Sequence, residues 1–515
     1  MFNSFAGAGS QTKHQYKTFP KVLALTVPSL AVKFIANLPF VAYVSPDRSV
    51  QKHLDTTTAT VGSNLVNQSG YTGQGIGVAV IDSGIDTTNA DLKTSTGVSR
   101  VVYSQDFVGT GIGDFYGHGT HVAGIVGGNG ANSGGRYHGI APNVSIINLR
   151  VLDQNGAGSD SNVIAAIDQA IQLAPKYNIK VINLSLGRPV YESFVWDPLC
   201  QAVEAAWKAG ITVVVAAGND GRDNSHNNNG YGTVNSPAND PYVITVGAMK
   251  SEGTTNRGDD LIASYSSKGP SLIDHIVKPD LVAPGNLITS LRVAGSTLDV
   301  AFPSNRVSPS VYGGPAGSQS QYFIMNGTSM ATPVVAGAAA LLSQQNPNLT
   351  PDQIKARLMY TATKNFPGSS TACDPSTGQC YTSYYDIFTV GAGYVDINAA
   401  INNPQAISYG ISASVVAIPN MQTHRVTIMN ADQITWGTQI TWGTQITWGT
   451  QITWGTQITW GTATWASTVL SNGIAWTNGT PVGQSLVTSD SIFTNTTAES
   501  VPLSVAESIV SGGEQ

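Results

Sequence analysis

Three short stretches, far apart in the chain, each offer one side chain that substitution at a carbonyl can use. Val80-Ile81-Asp82-Ser83-Gly84 ends an apolar run in an acid. Tyr116-Gly117-His118-Gly119-Thr120-His121 sets an imidazole between glycines, and Asn326-Gly327-Thr328-Ser329-Met330 puts a hydroxyl in a glycine-bearing turn. A serine hydroxyl is a weak nucleophile near neutrality and needs a base within hydrogen-bond reach. That base needs a carboxylate to fix its tautomer and to stabilise the imidazolium. Any one of these residues alone is more often structural. Asp82, His118 and Ser329 together, in these settings, point to acyl transfer. Ala216-Ala217-Gly218-Asn219-Asp220-Gly221 adds an amide after another apolar run. Asn219 there can donate to a developing oxyanion beside the Ser329 N–H, although an Asn in that context is also an ordinary turn residue.

The elements that must hold these groups follow from periodicity. Pro333 is read in the first turn of a helix, where proline is tolerated, and the run Val334 to Leu342 behind it is apolar all round, which implies a buried helix. Ser329 then sits at the positive end, where backbone N–H groups lack intrahelical partners. Residues 75–82, 144–151, 181–186 and 211–217 read as strands that are largely apolar on both faces. Ser161 to Leu173 carries Val163, Ile164, Ile167 and Ile171 on one helical face, and Cys200 to Ala209 reads as a second helix. This alternation predicts an α/β fold, a mostly parallel β-sheet with helices on both faces. Such sheets carry their sites at the carboxyl ends of strands, where Asp82, Ser185 and Asn219 all fall.

Composition narrows the class. A chain of 515 residues can bury a sizeable core. Only 11% of residues are charged and 55 are glycine, which suits a compact, loop-rich, secreted protein. A net charge of −6 argues against a nucleic-acid partner, and no apolar run is long enough for a membrane span. Cys373 and Cys380 bracket a short polar loop and could pair in an oxidising compartment, while Cys200 reads as a buried thiol. No basic n-region followed by an apolar run opens the chain, so no signal peptide is visible.

Two flanking regions differ from this body. Residues 1–54 carry Lys13, Lys17, Lys21, Lys33, Arg48 and Lys52 against Asp47, a net of +5 ahead of a remainder at −11. A basic segment before an acidic body suggests a complementary partner held in cis. Within it, 33–40 reads as a helix end and turn, and Val41 to Val44 as a short strand. After about residue 402, in the extension 403–515, the hexapeptide Gln-Ile-Thr-Trp-Gly-Thr repeats five times over 433–462. An even repeat keeps strand parity, so Trp436, Trp442, Trp448, Trp454 and Trp460 would share one face. The tract reads as a β-rich or weakly ordered low-complexity expansion, or else as an aromatic face for sugars or polymer surfaces.

The order Asp82, His118, Ser329, with Asn219 between the last two, resembles that of subtilisin-family serine endopeptidases. The likeness runs over about 55–402 and includes Ser185-Leu186-Gly187 and Lys278-Pro279-Asp280-Leu281-Val282-Ala283-Pro284-Gly285. It implies a subtilisin-like fold and peptide-bond hydrolysis with no cofactor for the chemistry. Asp82 would orient, His118 act as base, Ser329 attack and Asn219 donate to the oxyanion. Ser185, Leu186 and Gly187, with Ala216, Ala217 and Gly218, would wall the substrate pocket, and the stretch Arg222 to Gly232 would reshape its floor. A large apolar residue before the scissile bond would be preferred. Residues 1–54 would be the end of an inhibitory propeptide, cut within 50–58. Asp91 resembles a ligand for a structural calcium, and His121 a structural histidine. A secreted monomer acting on polypeptides is the expectation. The rival expectation is a surface-binding or display protein whose Trp-rich tail rides on an idle scaffold.

Overall fold

The computed structural model describes residues 11–15, 23–39, 41, 54–225, 228–315, 317–373, 379–403, 414–420, 425–429, 439–442, 446–451 and 503–504. The chain forms two compact units, 1–51 and 52–515. In the first, Gln11–Gln15 pairs antiparallel with Leu23–Thr26, and a helix spans Ser29–Ala36. The helix stops short of Pro39, whose ring disfavours helix at the residue before it. Of the expected strand at 41–44, residues 42–44 lie outside the described residues.

The second unit is built on an eight-stranded sheet. Its strands are β1 (Gly77–Asp82), β2 (Val101–Asp106), β3 (Ser145–Arg150), β4 (Ile179–Leu184), β5 (Thr212–Ala216), β6 (Ile244–Lys250), β7 (Leu261–Ile262) and β8 (Leu281–Pro284). The order is β7-β6-β5-β4-β1-β3-β2, and β8 also pairs with β6. Every ladder is parallel except β7 against β6. All residues of β1, β5 and β6 are buried, which is why their sequences are continuous apolar runs rather than alternating ones. The edge strand β2 is only half-buried and carries Ser104, Gln105 and Asp106.

Among the helices packed on the sheet are α1 (His118–Gly127), α2 (Asp160–Tyr177), α3 (Pro198–Lys208) and α4 (Thr328–Gln345). Helix α1 packs with α4, and α2 with α3. Ser159 caps α2 by accepting from Asn162 N–H, and the helix buries Val163, Ala166, Ile167 and Ala170, a stripe at helical spacing. Asp197 caps α3 with Pro198 in its first position. Helix α4 is buried from Thr328 to Ser343 and touches β4, β5, β6 and β8. Its small side chains permit this: a Cβ on Gly337 would lie 2.5 Å from Ile140 Cβ. The α/β expectation holds, with the strands and helices read from sequence displaced by only a few residues.

The body continues past residue 402. Val415 and Ala417 are buried, Val277 N–H donates to Val415 O at 2.8 Å, and Ser414 Oγ donates to Asp280 Oδ1 at 2.5 Å. Farther on, Val416–Asn420 pairs with Arg425–Met429, and Gln439–Trp442 with Ile446–Gln451, both antiparallel. Leu503–Ser504 pairs with Ala157–Gly158. Most of the hexapeptide tract lies outside the described residues. Cys373 and Cys380 stand opposite each other across a hairpin and form a disulfide. Cys200 is a buried thiol whose Sγ donates to Asn239 Oδ1, and burial pushes its pKa well up.

Candidate active site

Asp82 is the last residue of β1 and His118 the first of α1, and each is 1% exposed. Asp82 Oδ1 accepts Ser83 N–H at 2.7 Å and faces His118 Nδ1 at 2.8 Å. An ionised carboxylate in that position holds the ring proton on Nδ1, which leaves Nε2 as the basic nitrogen. His118 Nε2 and Asp82 Oδ2 are both buried, and neither has a protein hydrogen-bond partner among the described residues.

Ser329 is the second residue of α4 and is 2% exposed. The residue before the helix, Gly327, has φ of 147°, a conformation that favours glycine. The helix begins at Thr328, so Pro333 lies in its second turn rather than the first, as the sequence reading has it. The consequence falls on Ser329. Pro333 stands four residues on and has no N–H, so the Ser329 carbonyl loses its usual intrahelical donor. Ser185 Oγ supplies one instead, at 2.9 Å. In return Ser329 Oγ donates to Ser185 O at 3.3 Å. Ser185 follows the carboxyl end of β4, and Asn183 Nδ2 donates to its hydroxyl at 3.0 Å. The hydroxyl of Ser329 is thus turned toward Ser185 in this conformation.

Asn219 lies just after β5, beside the start of α4. Its Oδ1 accepts both Thr328 N–H at 2.9 Å and Thr328 Oγ1 at 3.2 Å. That pairing fixes the amide orientation, and Nδ2 is the end that can donate to an anion near Ser329. Thr328, which the sequence reading leaves without a role, also accepts Gly218 N–H at 3.2 Å. Its only sequence signal is its place directly before the serine.

Ser185, Leu186 and Gly187 after β4, and Ala216, Ala217 and Gly218 at the end of β5, are all buried. Between them stands Asn235: a Cβ on Gly187 would meet Asn235 Cβ at 3.2 Å, and one on Gly218 would meet its Nδ2 at 2.8 Å. Two residues of the stretch expected to reshape the floor are tied to other segments. Arg222 Nε donates to Ser264 Oγ, and Asn229 Nδ2 to Thr382 O. The residue set between the two segments is therefore Asn235, which the polar loop before it masked in the sequence.

The residues around Asp91 do not fit a calcium site. Asp91 Oδ1 accepts Asn132 N–H and Oδ2 accepts the Tyr322 hydroxyl, each at 2.7 Å. Three backbone carbonyls near it, a donor type that a hard cation would need, are engaged by Arg100 instead. Its guanidinium donates to Asp91 O and Gly127 O at 2.6 Å and to Val144 O at 3.1 Å. A protein cation thus fills the carbonyl cradle, and burial draws its pKa down to about 10. Burial raises the Asp91 carboxyl. His121 is fully buried, with Nε2 facing Ile288 O at 3.2 Å and Phe323 O at 3.1 Å. Among the described residues no group of three or more His, Cys, Asp or Glu is placed to hold a metal ion.

Asp82, His118, Asn219 and Ser329 all fall within residues 73–378, which match the model of the subtilase family. Serine protease AprX of Bacillus subtilis (strain 168) is 39% identical over 358 residues, covering 68% of this chain and 75% of that protein. Subtilisin E of the same organism is 34% identical over 358 residues, 69% of this chain and 78% of that one. The extracellular serine proteinase of Thermus sp. (strain Rt41A) is 35% identical over 367 residues, 69% and 74%. A family match across more than half of the chain, joined by relatives this similar over most of their own length, makes the protein a member of the subtilase family and a serine protease.

Proposed function

We propose that the protein is an extracellular endopeptidase that cleaves polypeptides through a Ser329 acyl-enzyme, with Asp82, His118 and Asn219 as its partners in the reaction. The observation that carries this reading is the 2.8 Å contact between Asp82 Oδ1 and His118 Nδ1, buried at the junction of β1 and α1. It supplies the oriented base that a serine nucleophile requires.

In the proposed cycle the Ser329 hydroxyl swings from Ser185 O toward His118 Nε2 and gives up its proton as Oγ attacks the scissile carbonyl carbon. The oxyanion so formed is met by Asn219 Nδ2 and by the Ser329 backbone N–H at the start of α4. His118 then passes the proton to the departing amine as the C–N bond breaks. Water attacks the ester with His118 again accepting a proton, and Ser329 is released as the hydroxyl. Asp82 stays ionised throughout and holds the imidazolium. Ser185 to Gly187 and Ala216 to Gly218 bind the peptide on either side of Asn235.

An extracellular setting is supported by the Cys373–Cys380 disulfide and by the name of the Thermus relative. Residues 1–54 act as a propeptide that the mature enzyme removes from itself, a reading supported by their opposite net charge. The experiment is labelling with a serine-directed phosphonate, read by intact mass. Wild type should gain one phosphonate, and Ser329→Ala none. Over time wild type alone should shed a segment ending within 50–58. Equal labelling of both proteins would overturn the nucleophile assignment, and equal processing of both would overturn self-cleavage.

A further inference from the structure

We infer that Asp114, a buried carboxylate outside the triad, is a positioning residue that registers Asp82 and His118 against each other. The inference rests on the reading of those two residues given above.

Three segments meet behind the Asp82–His118 contact: the turn that follows β1, the loop that precedes α1, and the first turn of α1. Nothing in β1 or α1 alone sets their separation, because they are joined only through a long connection containing β2. Asp114 lies in the loop and is 5% exposed. Its Oδ1 accepts the Ser83 hydroxyl at 2.8 Å and Gly117 N–H at 2.7 Å, and its Oδ2 accepts Thr120 N–H at 2.8 Å. Thr120 Oγ1 in turn accepts Asp86 N–H at 2.9 Å.

One carboxylate therefore holds both sides of the junction. Ser83, whose N–H donates to Asp82 Oδ1, uses its hydroxyl to bind Asp114 and to accept Gly119 N–H at 2.9 Å. Gly117 and Thr120 bracket His118 in the chain. The approach is close: a Cβ on Gly119 would lie 2.3 Å from Gly84 O and 3.1 Å from Asp82 Cβ.

The donor set also dictates the state of the group. Three donors converge on two oxygens, and a carboxylate that only accepts satisfies all of them, whereas a carboxylic acid or an amide would turn a donor toward a donor. Burial raises the Asp114 carboxyl above its ordinary value, and the hydrogen bonds from Thr120, Gly117 and Ser83 offset only part of that rise. Other charged or titratable groups around the junction include Asp82, Asp86, Tyr116, His118, His121 and Arg150. Arg150, at the end of β3, donates Nε to Ser83 O at 3.1 Å and lies over the Phe115 ring at 5.0 Å. An anion at the start of α1 is favoured by the helix dipole as well.

Asp114→Asn in the full-length chain tests this. Rates are taken per active site titrated with the phosphonate, so loss of folded protein does not enter kcat. A displaced base should lower kcat about 100-fold, with KM within about twofold of wild type, because the lost fit matters in the transition state. The downfield proton resonance of His118 Nδ1–H should move or broaden. Ser83→Ala, which removes one strut, should lower kcat about tenfold in the same pattern. It decides the matter if Asp114→Asn does not fold. Wild-type kcat per titrated site in the folded variants, with the imidazole resonance unmoved, would overturn the inference and leave Asp114 as architecture. Failure of wild type to titrate any site would instead remove the triad reading, and this inference with it.

Discussion

Asp82 and Asp91 are close in sequence and both are buried; His118 faces the Asp82 carboxylate, and Arg100 donates to the Asp91 backbone carbonyl. They differ in what is left over. At Asp91 both carboxylate oxygens accept protein donors, and Arg100 donates to three surrounding carbonyls. At Asp82 one oxygen is used, and among the described residues neither the other oxygen nor Nε2 of the partner ring has a protein partner. A closed hydrogen-bond shell lowers the energy of one arrangement and offers a substrate nothing. An open one costs stability and is tolerated where a reacting group will complete it. The comparison predicts that damage at the first site is read in stability and damage at the second in rate.

The largest effect should come from Ser329→Ala. The fall in kcat should be on the order of a millionfold, as for removal of the nucleophile in subtilisin, with little change in melting temperature. Arg100→Ala should do the reverse. It removes the cation from a buried cluster and should cost about 3–5 kcal/mol of unfolding free energy, measured by denaturant titration, while kcat per titrated site stays at the wild-type level. A rate loss in Arg100→Ala without a stability loss would break the distinction drawn between the two aspartates.

Asn219→Ala sharpens it. Loss of one oxyanion donor should lower kcat about 10²- to 10³-fold with KM nearly unchanged. Because Asn219 Oδ1 also accepts from Thr328, a smaller loss of stability should accompany it.

The smallest effect concerns pH. Burial draws the His121 pKa from 6.5 down to about 3. Between those values the unfolded chain binds a proton that the folded protein does not, so stability falls as pH drops through that window. The slope from this residue is at most about 1.4 kcal/mol per pH unit. Melting temperature measured from pH 7 to pH 4 should therefore decline less steeply in His121→Gln than in wild type. An equal slope in both would show that His121 does not remain neutral.

How much of this was legible in the sequence depends on the range of the interaction. The strand ending in Asp82 and the all-apolar helix behind Ser329 were readable because burial on every side leaves a local signature in the residues themselves. Cys373 and Cys380 were readable as a pair because a short loop brings them together. Pro333 was misplaced by one turn, since helix starts are set by capping geometry that the Gly-Thr-Ser sequence leaves open. Its effect, a serine carbonyl served by Ser185, involves a residue 144 positions away.

The amino-acid sequence by itself determined the inventory and the periodicity: which segments are strands, which helix is buried, and that an acid, an imidazole, an amide and a hydroxyl occur in that order. These depend on side-chain chemistry within a few residues of each position. Only the tertiary structure decided that Arg100 takes up carbonyls beside Asp91, that Asn235 stands beside both Gly187 and Gly218, and that Asp114 ties the turn after β1 to the start of α1. Each of those is a contact between segments whose order in the chain carries no distance. The free energy that selects them comes from satisfying buried polar groups together, and no single stretch can do that alone.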